Sequence, residues 1–359
     1  MGQFRDSVLE PMLSGIRSDV FPGVPSPFVD LTRYTGYTQQ GMYEVIAGRP
    51  TTGKKSFVQY KILNICKWAL SFEASDRPPV KIMYFNIGGS TDLLLQKWTC
   101  GYLKIFFNIV LDIATLKGDV GQKFSLADPD NEYIVEAIRE AEIFFDELLD
   151  TGMLEIISTK QNPSNIHDHV EKFMLDEAGD MEHNVFQPNQ EWLGHFTFYV
   201  IDDVQNLSTE SYGNMNLDRQ GIYAKMHKFN IELKQKYSVN PIVILPVPFS
   251  SSRRVLDTLP SYKDLGVFYN NSDLGYVLYN PFNENNKNYL GFDINDWNIG
   301  GKVRFRSVTL ARNSHGLQNI TKGMIFLEEC GYFRELPVPG GETNDLQIEE
   351  FLEGLAQLP

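Results

Sequence analysis

The chain has 359 residues, enough for one large domain or two ordinary ones. Its 42% hydrophobic and 13% aromatic content supplies a packed core and excludes global disorder. The net charge of −14 excludes a protein that coats nucleic acid by bulk electrostatics, while leaving room for a local basic loop.

Residues 1–20 place Val8, Leu9, Met12, Leu13 and Ile16 at roughly helical spacing, interrupted by Pro11, which predicts a short or kinked helix. Residues 21–41 are rich in Pro, Gly and turn formers. A strand is expected from Tyr43 to Ala47, then a glycine loop at 48–53, then a helix from Lys54 to Phe72. Further strands are expected at 80–87, 153–157, 196–201, 241–246, 274–279, 303–312 and 323–329. Helices are expected at 91–114, 131–150, 164–175 and 218–237, and residues 176–192 read as an acidic surface loop. This alternation predicts an α/β fold with a mostly parallel, doubly wound sheet and flanking helices. The segment from Pro337 onward is Pro/Gly-rich and then acidic, with a short helix at 345–357. No run is long and apolar enough to span a membrane, and no apolar signal region opens the chain. Cys66, Cys100 and Cys330 are far apart and odd in number. They fit reduced thiols of a cytoplasmic protein better than a disulfide frame or a zinc site.

The most informative stretch is Gly48-Arg49-Pro50-Thr51-Thr52-Gly53-Lys54-Lys55-Ser56. Gly, four residues, then Gly-Lys is the pattern of a phosphate-binding loop. Its backbone N–H groups surround a triphosphate, ATP or another NTP, and its Lys reaches the outer phosphates. The next residue is normally Ser or Thr, whose hydroxyl holds Mg²⁺. Here it is Lys55, and the hydroxyl comes one place late, at Ser56. The second half of such a site is an acidic strand end that orders Mg²⁺, and Phe196–Ile201 ends in Asp202-Asp203. Alone, those two carboxylates read equally well as a turn or a helix cap. Both segments are expected at the carboxyl edge of a parallel sheet, where ligands bind. The metal ligands expected are therefore Asp202 and Ser56, with Lys54 gripping phosphate.

At these residues the chain resembles the motor domain of DnaB-type replicative helicases. The segment Phe28-Val29-Asp30-Leu31-Thr32-Arg33-Tyr34-Thr35-Gly36, followed by Arg49-Pro50 in the loop, is similar to that family's lead-in. Tyr199 to Leu207 is similar to its acidic strand. Lys263-Asp264-Leu265-Gly266 with Asn271 to Leu274 is similar to its pore-loop region. Leu310-Ala311-Arg312-Asn313-Ser314-His315-Gly316 is similar to its last signature, which donates an arginine to the neighbouring subunit's nucleotide. The likeness covers residues 20–335. It implies a RecA-like phosphate-loop NTPase over 21–336, a linker helix at 1–20 that docks on the next subunit, and an acidic tail at 337–359. It also implies a homo-hexameric ring, movement on single-stranded DNA, and a primase, a helicase loader or an active helicase as partner. A phage or plasmid source fits, which would place a phage protein in the bacterial host cytoplasm.

Several positions depart from the family pattern. Gly88 stands where a catalytic Glu is expected. Pro246-Val247-Pro248 replaces a polar sensor, and Leu310 replaces a lysine. About three residues are lost between Leu265 and Gly266, and the primase-interacting N-terminal domain is expected to be absent. Losing a positioned general base costs roughly 10²–10⁴-fold. Hydrolysis is left open, with Asp203 the weak candidate for a substitute base. Lys55 either replaces part of the metal's charge or points to solvent. The basic residues Arg253, Arg254 and Lys263 read either as a DNA-phosphate track around a pore or as a solvated loop. His167 and His169 flank Asp168, a pattern that reads as a solvated helix end before it reads as a metal site.

Overall fold

The computed structural model describes residues 23–73, 75–118, 131–212, 215–247 and 266–356. The helix expected at 1–20, and the basic segment with Arg253, Arg254 and Lys263, lie outside the described residues.

In chain order the described elements are α1 (Val29–Thr35), β1 (Glu44–Gly48), α2 (Lys54–Leu70), β2 (Val80–Asn86), α3 (Thr91–Phe107), α4 (Glu132–Asp150), β3 (Leu154–Ile157), α5 (Pro163–Phe173), β4 (Phe196–Asp202), α6 (Arg219–Tyr237) and β5 (Asn240–Pro246). They continue with β6 (Leu274–Tyr279), β7 (Phe305–Asn313), β8 (Ile320–Leu327), β9 (Tyr332–Glu335) and α7 (Glu342–Ala356). Nine strands form one sheet in the order β9-β8-β7-β6-β1-β5-β4-β2-β3. The six from β6 to β3 run parallel, and β7, β8 and β9 are added antiparallel at one edge.

The near-continuous apolar runs of β1, β2, β4 and β5 are buried on both faces, as central parallel strands must be. Because side chains alternate along a strand, each run feeds two cores. Ile46, Ile82, Tyr84, Val200 and Ile244 face the layer built by α2, α3 and α4. Val45, Met83, Phe85, Ile201 and Val243 face the layer built by α5 and α6. The sheet is thus doubly wound, as the element pattern predicts.

Three local differences have simple causes. The helix expected at 91–114 stops at Phe107, because Asn108 adopts left-handed φ 60° and caps it. The acidic segment expected as a loop is a hairpin pairing 179–182 with 185–188. Its two-residue turn, His183-Asn184, has positive φ at both positions, the geometry that suits the twist of a tight hairpin. Residues 342–356 form a full helix, with Phe351 and Leu352 packed on a third core cluster and Arg334 stacked 4.3 Å from the Phe351 ring.

Candidate nucleotide site

The loop at 48–53 joins the carboxyl end of β1, the sheet's central strand, to the N-terminus of α2. Its glycines are needed for two different reasons. A Cβ on Gly48 would lie 2.7 Å from Thr52 Oγ1 and 2.8 Å from the Leu278 carbonyl, so the loop closes too tightly for any side chain there. Gly53 has φ 91°, and a Cβ there would also meet the Phe333 and Phe326 rings at 2.8 and 3.0 Å. Thr51 takes a left-handed φ of 63° without being glycine. The turn is held by Thr52 Oγ1 and Lys54 Nζ, both donating to the Arg49 carbonyl at 2.8 Å. The Arg49 guanidinium pairs with Glu284, and Asn283 Nδ2 donates to Thr51 Oγ1 at 3.4 Å. The first N–H groups of a 17-residue helix therefore open at the loop with a buried lysine beside them, an arrangement that fits a phosphate chain.

The acidic strand β4 lies two strands from β1, with β5 between them, and it ends at the same edge of the sheet. Asp202 is buried, and its Oδ2 accepts a hydrogen bond from Tyr84 OH at 2.8 Å. Its Oδ1 has the Lys55 ammonium at 2.7 Å as its ionic partner. Asp203 turns away to cap the next turn, accepting from Gln205 N at 3.0 Å. Burial pushes the Asp203 carboxyl up from its ordinary value, against the pull of the Gln205 N–H and of Lys55. Burial also pulls Lys54 down to about 8; Asp203 and Asp202 raise it and Lys55 lowers it further. Lys54, Lys55, Asp202 and Asp203 are thus one electrostatic unit.

Ser56 is not part of that unit. It lies one residue further round α2, and its side chain lies 3.3–3.5 Å from where a Cβ on Gly331 would stand. There it lines a separate cleft of about 380 Å³ with Gln59, Lys97 and Glu329. The hydroxyl offered by the sequence as a late metal ligand is therefore not brought to Asp202. A carboxylate with one oxygen on a tyrosine and the other on an ammonium, with no hydroxyl beside it, does not fit the octahedral oxygen shell that Mg²⁺ demands.

The water-activating side is equally bare. Gly88 is exposed at φ 76° with nothing within 4 Å of a notional Cβ. Asn86 stands in register with Asp202, but its Nδ2 reaches Ser90 O and Ser158 Oγ instead, at 3.2 Å each. Val247 is buried, and its N–H donates to the Gly48 carbonyl at 2.9 Å. Leu310 is fully buried in the core.

Arg312 lies at the other end of the sheet. It pairs with Gly275, which is level with Val45, three residues and roughly 10 Å before the loop. Its Nε–H donates to the Ser272 carbonyl. Within one chain it does not meet the loop. The histidines also separate: His169 pairs with Glu155 at 2.9 Å, while His167 is buried against Phe229. Among the described residues no cluster of His, Cys, Asp and Glu could hold a metal ion. No helix among them is long and apolar enough to cross a membrane.

Sequence reasoning did not find Arg306, Glu284 or Tyr84. Arg306 is buried, donates to the carbonyls of Val303 and Phe305 and, at 3.4 Å, to that of Thr51, and stacks 4.9 Å from the Phe326 ring. Its link to the loop spans 255 positions, so no local pattern announces it.

A parallel core with strand order 3-2-4-5-1-6, a phosphate loop after its first strand and an acidic end on its fourth define the RecA-like α/β class. Within that class the fold is the one seen in DnaB-type helicase motors. The chain superimposes on a solved ATPase domain of the DnaB-like helicases with TM-score 0.65 and 17% identity, covering 93% of this chain and 99% of that one. It also matches a DnaB-like replicative helicase, solved in a study of its interactions with primase, with TM-score 0.62 and 17% identity, covering 91% of this chain and 67% of that one. No protein-family model and no curated protein matches the sequence.

Proposed function

We propose that the protein is a DnaB-like, nucleotide-binding ring protein of DNA replication that works on single-stranded DNA with a degenerate catalytic site. The observation that carries this reading is the closed loop at 48–54 beside Asp202, with Lys55 placed on the carboxylate. In this reading the loop backbone and Lys54 hold the phosphates of ATP or another NTP. The magnesium contact is weakened to Asp202 alone. Arg312 serves a neighbouring copy, since it stands at the far end of its own sheet. Arg253, Arg254 and Lys263 contact DNA phosphates, six subunits form the ring, and a primase or loader is the partner.

A second reading is a catalytically silent relative that uses nucleotide to set its assembly or to support an active helicase. The bare position at Gly88 and the buried Val247 favour it. NTP hydrolysis with Mg²⁺, with and without single-stranded DNA and beside Lys54→Ala, separates the two. DNA-stimulated turnover that the substitution removes supports a motor. Turnover no higher than that of Lys54→Ala leaves the silent relative.

A further inference from the structure

We propose that the Lys55 ammonium takes the place of the divalent cation, so that this protein binds nucleoside triphosphate without metal. The inference rests on the nucleotide-site reading above and deepens it by naming the counter-ion. Three observations converge on it. The Lys55 ammonium already sits 2.7 Å from Asp202 Oδ1, the oxygen that would face a metal-bound water. The other oxygen is occupied by Tyr84 OH at 2.8 Å, and the carboxylate is buried, so it cannot swing to offer a fresh face. The only nearby hydroxyl of the helix start, that of Ser56, is directed to Gly331 and the cleft behind it.

The chemistry of the ammonium suits the role. It carries three N–H donors, and Asp202 engages one of them. The Lys55 side chain is 56% exposed, so its remaining donors face the open side of the loop, where a phosphate chain would lie. A cation between phosphate and Asp202 is what the magnesium–water arrangement supplies elsewhere; here it is covalently part of the chain. A divalent ion would have to displace that ammonium or sit beside it against like-charge repulsion.

The test is equilibrium binding of mant-ATP by fluorescence, in EDTA and in excess Mg²⁺. It compares wild type, Lys55→Ser, Lys55→Met and Lys54→Ala, with circular dichroism to confirm folding of each. Wild type is expected to bind with affinities within about threefold in the two conditions. Lys55→Met should lose on the order of tenfold or more in both, and Lys55→Ser should lose as much in EDTA and regain it with Mg²⁺. A wild-type affinity that rises tenfold or more with Mg²⁺ overturns the proposal. So does a Lys55→Met variant that binds like wild type in EDTA. If no saturable signal is lost in Lys54→Ala under either condition, the nucleotide site itself is refuted, and this inference falls with it.

Discussion

The two sides of the cleft at the carboxyl edge of the sheet are built to different standards. On the loop side, Gly48 to Lys55 are closed by two bonds to the Arg49 carbonyl, an Arg49–Glu284 pair, and Lys55 on Asp202. On the opposite side, Gly88 offers no side chain and Val247 spends its only donor on Gly48. Gripping phosphate and activating water are carried by separate residues, so one can decay while the other stays intact. The loop's backbone geometry and the helix N-terminus serve binding regardless of what stands at position 88.

The strongest way to break this contrast is to rebuild the bare side. Lys55→Thr combined with Gly88→Glu is expected to raise Mg²⁺-dependent ATP hydrolysis on the order of 10²–10⁴-fold above wild type, read as phosphate release. Each single variant should gain less than about tenfold. Position 88 has room for the side chain, though its φ of 76° costs the variant about 1–3 kcal/mol of stability. A double variant no faster than wild type would mean that positions 55 and 88 are not what separates the two sides.

A second substitution asks whether the wall behind α2 belongs to the site or only to the scaffold. Burial alone would raise the Glu329 carboxyl, but hydrogen bonds from Arg304 and Lys302 outweigh it and hold the group down at about 2, against an ordinary 4.5. A depressed carboxylate stabilises the fold fully above its unfolded value and loses that contribution as pH falls towards its folded one. Stability should therefore decline between about pH 4.5 and 2, by roughly 3 kcal/mol from this group. Glu329→Gln should remove that contribution at neutral pH and flatten this part of the acid limb in urea unfolding. Nucleotide affinity should stay unchanged. The smallest expected effect is at Ser56. Ser56→Ala should leave nucleotide affinity and its Mg²⁺ dependence unchanged, with stability within about 0.5 kcal/mol, because its hydroxyl belongs to the Gly331 cleft.

Most of the architecture is legible in the chain because parallel strands buried on both faces must be apolar throughout, and β2, β4 and β5 are. The loop is legible because its geometry requires glycine at fixed positions. The hairpin at 179–188 is hidden because its residues are acidic and polar, and only Asn184 hints at its turn. The direction of Ser56 was not legible: a shift of one residue along a helix turns a side chain by about 100°, and the sequence does not say which side is occupied. Arg306 and Glu284 were not legible because their partners lie more than 230 residues away.

The rings of Phe326 and Phe333 pressed against Gly53 have a mechanical meaning. They stack on each other at 4.5 Å and belong to β8 and β9, not to the parallel core. The same hairpin holds Ser56 at its Gly331 tip, and at Glu335 it receives the N–H groups of Asp30 and Leu31 at 2.8 and 2.9 Å. The phosphate loop is thus riveted to a two-stranded lever whose other end grips the start of α1. The loop has no freedom of its own to recoil. Any displacement imposed on it by a bound molecule is shared by this antiparallel edge and by the segment through which the chain enters the fold.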